Sequence, residues 1–194
     1  MLEKVKKLDL KNWRGVGIYI LFIFLTAPWL PAIIRQTAKW SAIDLTSFLT
    51  YIRVTSLAML ALVIILYMFI SQCYKNIFSW FITILVGGGF AFLTTRTAAA
   101  AEVTHFLEYG GLSVYIFYKL DDVKNLPYPF ERYYKAAFFS LLVGVADELY
   151  QGLLPTRYYD INDIMLNVVS AVLGLIFIWG TLAQKPAAVV KCPA

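Results

Sequence analysis

The sequence predicts an all-α, polytopic helical membrane protein with about six transmembrane helices and both termini in the cytoplasm. Three observations carry that expectation. First, 60% of the 194 residues are hydrophobic and 15% are charged, with a mean hydropathy of +0.69. A soluble domain is closer to about 25% charged and about 45–50% apolar, so an aqueous fold could not hide this much apolar surface. Second, apolar runs recur near the ~20 residues that a helix needs to cross a ~30 Å hydrocarbon layer at ~1.5 Å per residue. Third, the basic residues divide unevenly between the loops that those runs define. The spans leave little chain over, so residues 1–194 read as a single domain.

The elements follow in order. Residues 1–15 hold Lys4, Lys6, Lys7, Lys11 and Arg14 and read as a basic cytoplasmic segment. No small-x-small cleavage site follows the first apolar run, so that run is expected to be a retained span and not a signal peptide. Candidate spans cover 16–34, 54–74, 77–93, 103–118, 136–154 and 161–183. Pro28 and Pro31 predict a kink or an early end in the first, because proline removes a backbone donor and clashes with the preceding turn. Residues 35–53 then lie outside as a loop or an interfacial helix, in which Lys39, Trp40, Asp44, Phe48 and Leu49 form one amphipathic face. Gly87, Gly88 and Gly89 suit a close helix contact or a bend; a phosphate loop would need strand and Lys-Ser/Thr signals that are absent. Cys73 and Cys192 lie in different segments with no metal or redox spacing and read as unpaired thiols.

With the amino terminus inside, Arg35, Lys39, Arg53, Arg96 and Arg157 fall on the outer side and the remaining twelve of the 17 basic residues fall inside. The formal net charge of +5 is read as this orienting signal and not as a nucleic-acid footprint. In that orientation the start of span four, the end of span five and the start of span six share the outer face. Glu102, His105 and Tyr109 form a stripe at i, i+3, i+7. Asp147 and Glu148 stand above Gln151 at the end of span five, Arg157 follows in the loop, and Asp160, Asp163 and Asn167 open span six on one stripe. A carboxylate at membrane depth costs about 2.5–3.5 kcal/mol on insertion scales, so such groups should face the bundle interior and line an outward-open polar pocket.

Structural readings stand beside each of these. Asp160 or Asp163 can cap span six, Arg157 can be a surface cation or a partner of the acids, and His105 can be an internally bonded helix residue. Tyr109, Tyr150, Tyr158 and Tyr159 suit interfacial aromatics, and Gly110, Gly111, Gly144 and Gly174 suit close helix approach. Glu102 and His105 could join acids of spans five and six around a metal, but one Glu-x-x-His does not define a centre. The sequence therefore assigns no metal and no cofactor.

The run E-V-T-H-F-L-E-Y-G-G-L, followed by D-E-L-Y-Q-G-L-L-P-T-R-Y-Y-D-I-N-D-I-M-L-N-V-V-S-A-V-L-G, resembles the VanZ-like family core over about residues 102–174. Matching positions are His105, Phe106, Tyr109, Glu148, Gln151, Pro155, Arg157, Asp160, Asp163, Asn167 and Gly174. The family often places an Asp-Lys pair before the His helix, where this chain has Ala101-Glu102. Spans two and three look additional to the smallest members. The resemblance implies a multi-pass protein of the bacterial cytoplasmic membrane. It also implies a family whose founding member is associated with low-level teicoplanin resistance, without a settled mechanism.

Three function classes follow. The first expectation is a binder of a membrane lipid, a lipid-linked cell-wall precursor or a glycopeptide-related ligand, using Glu102, His105, Tyr109, Gln151, Arg157, Asp160, Asp163 and Asn167, with no nucleic-acid partner. The alternative is an enzyme on a lipid-linked or phosphate-bearing envelope substrate, in which Glu148 or Asp147 trades protons with His105 and Arg157 holds a phosphate. No nucleophile elbow or Ser-His-Asp set accompanies them. A proton-coupled transporter is the third class, disfavoured by the missing inverted repeat and the one-sided polar groups.

Overall fold

The computed structural model describes residues 10–41, 43–70, 72–96, 100–121, 129–155, 157 and 159–182. Among these the chain is all-α: α1 Leu10–Thr26, α2 Leu30–Trp40, α3 Leu45–Ile70, α4 Ile77–Arg96, α5 Ala100–Asp121, α6 Pro129–Gly152 and α7 Ile161–Leu182. A short 3-10 turn, Cys73–Lys75, links α3 to α4. The chain is a helical membrane protein, and α3, α4 and α7 are each long and apolar enough to cross a membrane. α1 is apolar but short, while α5 and α6 carry His105, Glu108, Asp147 and Glu148 within their length. Composition alone therefore does not mark those three as spans.

The first apolar run ends early at Thr26, and a turn at 27–29 holds Pro28 before α2 begins with Pro31 in its first turn. Proline is tolerated there because the first-turn N–H groups have no helical acceptor. The second element differs from the expected single interfacial helix over 35–53. Lys39 and Trp40 end α2, whereas Phe48 and Leu49 already belong to α3. Asp44 divides the two: its Oδ1 accepts the Ser47 backbone N–H at 2.9 Å, a helix cap that starts α3 nine residues earlier than hydropathy suggests.

Helices α5, α6 and α7 pack as a central triad, with α4 on α7 and with α1 and α3 on α5. Cross-contacts fix their directions. Tyr109 meets Asp147 and Phe117 meets Tyr133, so α5 and α6 are antiparallel. Ser79 and Gly89 of α4 meet Gly180 and Leu173, so α4 and α7 are antiparallel. α5 and α7 run parallel and cross closely: Ser113 Oγ donates to the Ala171 carbonyl at 2.9 Å. A Cβ on Gly174 would lie 2.6 Å from the Gly110 carbonyl oxygen. At Gly144 it would lie 3.1 Å from Asn167 Cβ, so these glycines do admit neighbouring helices. In the Gly87–Gly89 run only Gly89 nears a neighbour, Leu173, and α4 continues through it. Cys73 is buried and its thiol donates to the Thr181 carbonyl at 3.3 Å; Cys192 lies outside the described residues.

Among the described residues, α1 and α3–α7 alternate in direction. One end of the bundle gathers the start of α1, the α3–α4 turn, the end of α5, the start of α6 and the end of α7. The opposite end gathers α2, the start of α5, the end of α6 and the start of α7.

Candidate functional site

At that second end the central triad turns its polar residues inward. His105 on α5, Asp147, Glu148 and Gln151 on α6 and Asn167 on α7 are all buried. Helical spacing accounts for this: each lies on the stripe facing the other two helices, where a polar group avoids hydrocarbon. Seen across the triad, the residues form two layers one helical turn apart. His105, Glu148 and Asp163 make the upper layer, and Tyr109, Gly144 and Asn167 the lower.

A hydrogen-bonded chain runs beside these layers. The Tyr109 hydroxyl donates to Asp147 Oδ2 at 2.9 Å, and Gln151 Nε2 donates to the same oxygen at 2.9 Å. Gln151 Nε2 also approaches Glu148 Oε1 at 3.4 Å, and the Asp160 backbone N–H donates to Glu148 Oε2 at 3.3 Å. Arg157 closes the chain, its Nε donating to Gln151 Oε1 at 2.9 Å and its Nη2 to the same oxygen. The loop 153–157 brings it there through a tight turn in which the Arg157 N–H reaches the Leu154 carbonyl at 3.2 Å.

Several expectations need correction. Among the described residues the Arg157 guanidinium bonds the neutral amide of Gln151 through Nε and Nη2, and not a carboxylate, and that amide passes the contact on to Asp147. Tyr109 is fully buried and so is not an interfacial aromatic, and its hydroxyl is committed to Asp147. Asp160 points away from the cluster. Its Oδ1 accepts the Asn162 backbone N–H at 2.8 Å and Asn162 Nδ2 at 2.9 Å, capping α7, and only its backbone enters the site. The side chain of Glu102 lies outside the described residues, as does Tyr158.

Two residues of the site carried no assignment from the sequence. Glu108 lies 3.6 Å from His105 Nδ1, beyond hydrogen-bond reach, and Thr104 hydrogen-bonds to its carboxyl. Their signal was present as the i, i+3 step from His105 to Glu108, which the Glu102–His105–Tyr109 stripe overshadowed. Thr104, His105, Glu108, Gln151 and Arg157, walled by Ala27 and Leu30, line a crevice of about 10 Å³, room for about one water. Buried polar atoms remain without a hydrogen-bond partner at His105 Nδ1, Asp147 Oδ1 and both ends of the Asn167 amide.

The same stretch of α5 lines a second space. Phe106, Leu107, Gly110, Gly111 and Val114 face an apolar cleft of about 230 Å³, closed on its other sides by Leu60, Ile64 and Tyr67 of α3, Phe90 of α4 and Phe177 of α7. Polar crevice and apolar cleft are therefore lined by neighbouring residues of α5.

A model of one protein family, described as VanZ/LLP1, matches residues 15–183. No curated protein and no solved structure matches the chain.

Proposed function

Because the chain belongs to the VanZ/LLP1 family, we propose that it is a multi-pass protein of the bacterial cytoplasmic membrane that binds a lipid or lipid-linked envelope precursor. The observation that carries this reading is the junction on α5, where residues 104, 105 and 108 line a polar crevice and residues 106, 107, 110 and 111 line an apolar cleft. An amphiphile needs that pairing: apolar surface for its chain, burying ~25 cal/mol per Å², and fixed polar groups for its head. Arg157 is the group suited to an anionic head. Gln151 occupies its Nε and Nη2, which leaves the rest of a five-donor fork for a phosphate oxygen. The crevice holds about one water, so the head would sit at its mouth and not within it. The basic asymmetry supports an outer-leaflet position for this end, where envelope precursors are used and where a link to glycopeptide resistance would arise.

The reading is tested by extracting and weighing the lipids that remain on the full-length protein after purification in mild detergent. The parent should retain an anionic phospholipid or a polyprenyl phosphate. Val63→Trp, which fills the cleft from α3, and Arg157→Lys, which loses the planar fork, should each lower retention several-fold. A parent stripped of lipid, or two variants that retain as much as the parent, would contradict it.

A further inference from the structure

Three helices each deliver one donor to the upper polar layer. The His105 imidazole from α5 and the carboxylates of Glu148 from α6 and Asp163 from α7 each offer an atom within 4.8 Å of the other two. We propose that these three side chains bind one divalent transition-metal ion of the zinc or manganese class. One imidazole nitrogen with two carboxylate oxygens suits those ions, whereas all-oxygen sets suit magnesium and calcium and thiolates suit copper(I). Bonds of about 2.0–2.2 Å put tetrahedral donors about 3.5 Å apart, so side-chain rotation closing the triad by about 1 Å would seat the ion. Glu148 is free to make that adjustment, since its two hydrogen bonds are long, at 3.4 and 3.3 Å.

The layer beneath supplies an independent sign of an occupant. One turn along each helix stand Tyr109, Gly144 and Asn167. Gly144 lets the Asn167 side chain pack close against α6, with Nδ2 3.4 Å from where a Cβ would be. Asn167 is 1% exposed, and neither its amide oxygen nor its amide nitrogen has a hydrogen-bond partner. His105, 5% exposed, likewise has an unpartnered Nδ1. Buried polar groups in folded proteins are almost always satisfied, so the idle Asn167 amide one turn from the triad marks room for a polar guest. Two carboxylates beside one imidazole, with Glu148 fully buried and Asp163 half-buried, favour a cation over a neutral guest.

This inference does not rest on lipid binding, and its test reads metal alone. Full-length protein purified in detergent without chelator should carry close to one equivalent of zinc or manganese by elemental analysis. After chelation, added cobalt(II) should give visible absorption bands of a nitrogen-and-oxygen site that saturate at one equivalent, and added zinc should raise the melting temperature. His105→Ala and Asp163→Asn should each weaken cobalt affinity at least tenfold. Glu131→Gln, at the far end of α6, should leave it unchanged. The parent's cobalt titration decides the matter even if a variant fails to fold. A parent that holds no metal and binds neither cobalt nor zinc at micromolar concentration would overturn the proposal. Affinity unaltered in both folded site variants would overturn it as well, because the ion would then lie elsewhere.

Discussion

Replacing Tyr109 by Phe takes one hydroxyl from a buried carboxylate and leaves Asp147 with Gln151 as its remaining donor. The loss of a buried hydrogen bond to a charged group predicts destabilisation of about 1–3 kcal/mol, read as a lower melting temperature in detergent. Asp160→Ala removes the cap of α7 and should cost about 0.5–2 kcal/mol, with bound lipid unchanged, because the Asp160 side chain faces away from the cluster. The opposite pattern, full stability with lost lipid, would return Asp160 to the binding set. At this scale the sequence was legible where spacing decides. His105, Glu148 and Asp163 come within 4.8 Å of one another because each lies on the inward stripe of its helix. It was illegible where partners decide. Nothing in the string Asp147-Glu148-x-x-Gln151 says that Arg157 will choose the amide over either acid, since all three acceptors lie within a turn of one another.

Among the elements, the α5–α7 crossing is the least forgiving. A methyl on Gly174 would lie 2.6 Å from the Gly110 carbonyl oxygen and 3.0 Å from Ser113 Oγ, and backbone cannot swing aside. Gly174→Ala should therefore destabilise the protein by about 1–3 kcal/mol. Gly87→Ala meets nothing within 4 Å and should be neutral or stabilising by up to about 1 kcal/mol, as for a helical glycine with open space beside it. Thermal denaturation of the two variants side by side checks the pair. Sequence pattern exposed the small residues without ranking them, because a glycine's role depends on which helix lies across from it. The early start of α3 was missed for a related reason: hydropathy sees the apolar centre of a helix, while the Asp44 cap that begins it is polar.

Over the whole molecule, α1 and α3–α7 alternate in direction, and length and composition mark three of them, α3, α4 and α7, as able to cross a membrane. Apolar runs tolerate the occasional charge, and α5 and α6 are where those charges collect: Asp147 and Glu148 are buried, and Glu108 lines the polar crevice. The basic asymmetry predicts which end faces out. In a Cys73→Ser, Cys192→Ser background, Asp160→Cys should react with a membrane-impermeant maleimide on intact cells. Cys192 in the parent should react only after the membrane is opened. Reversed labelling would invert the protein and move the polar site to the cytoplasm. The central claim is that one amphiphile spans the apolar cleft and the polar crevice along α5. It is tested most directly with a phospholipid carrying a photoactivatable group in its acyl chain, crosslinked to the full-length protein and mapped by peptide mass spectrometry. The account predicts labels concentrated on Leu60, Val63, Leu107 and Val114 and competed away by unlabelled anionic lipid. Labels spread evenly over the exposed faces of α3, α4 and α6, and indifferent to competitor, would contradict it.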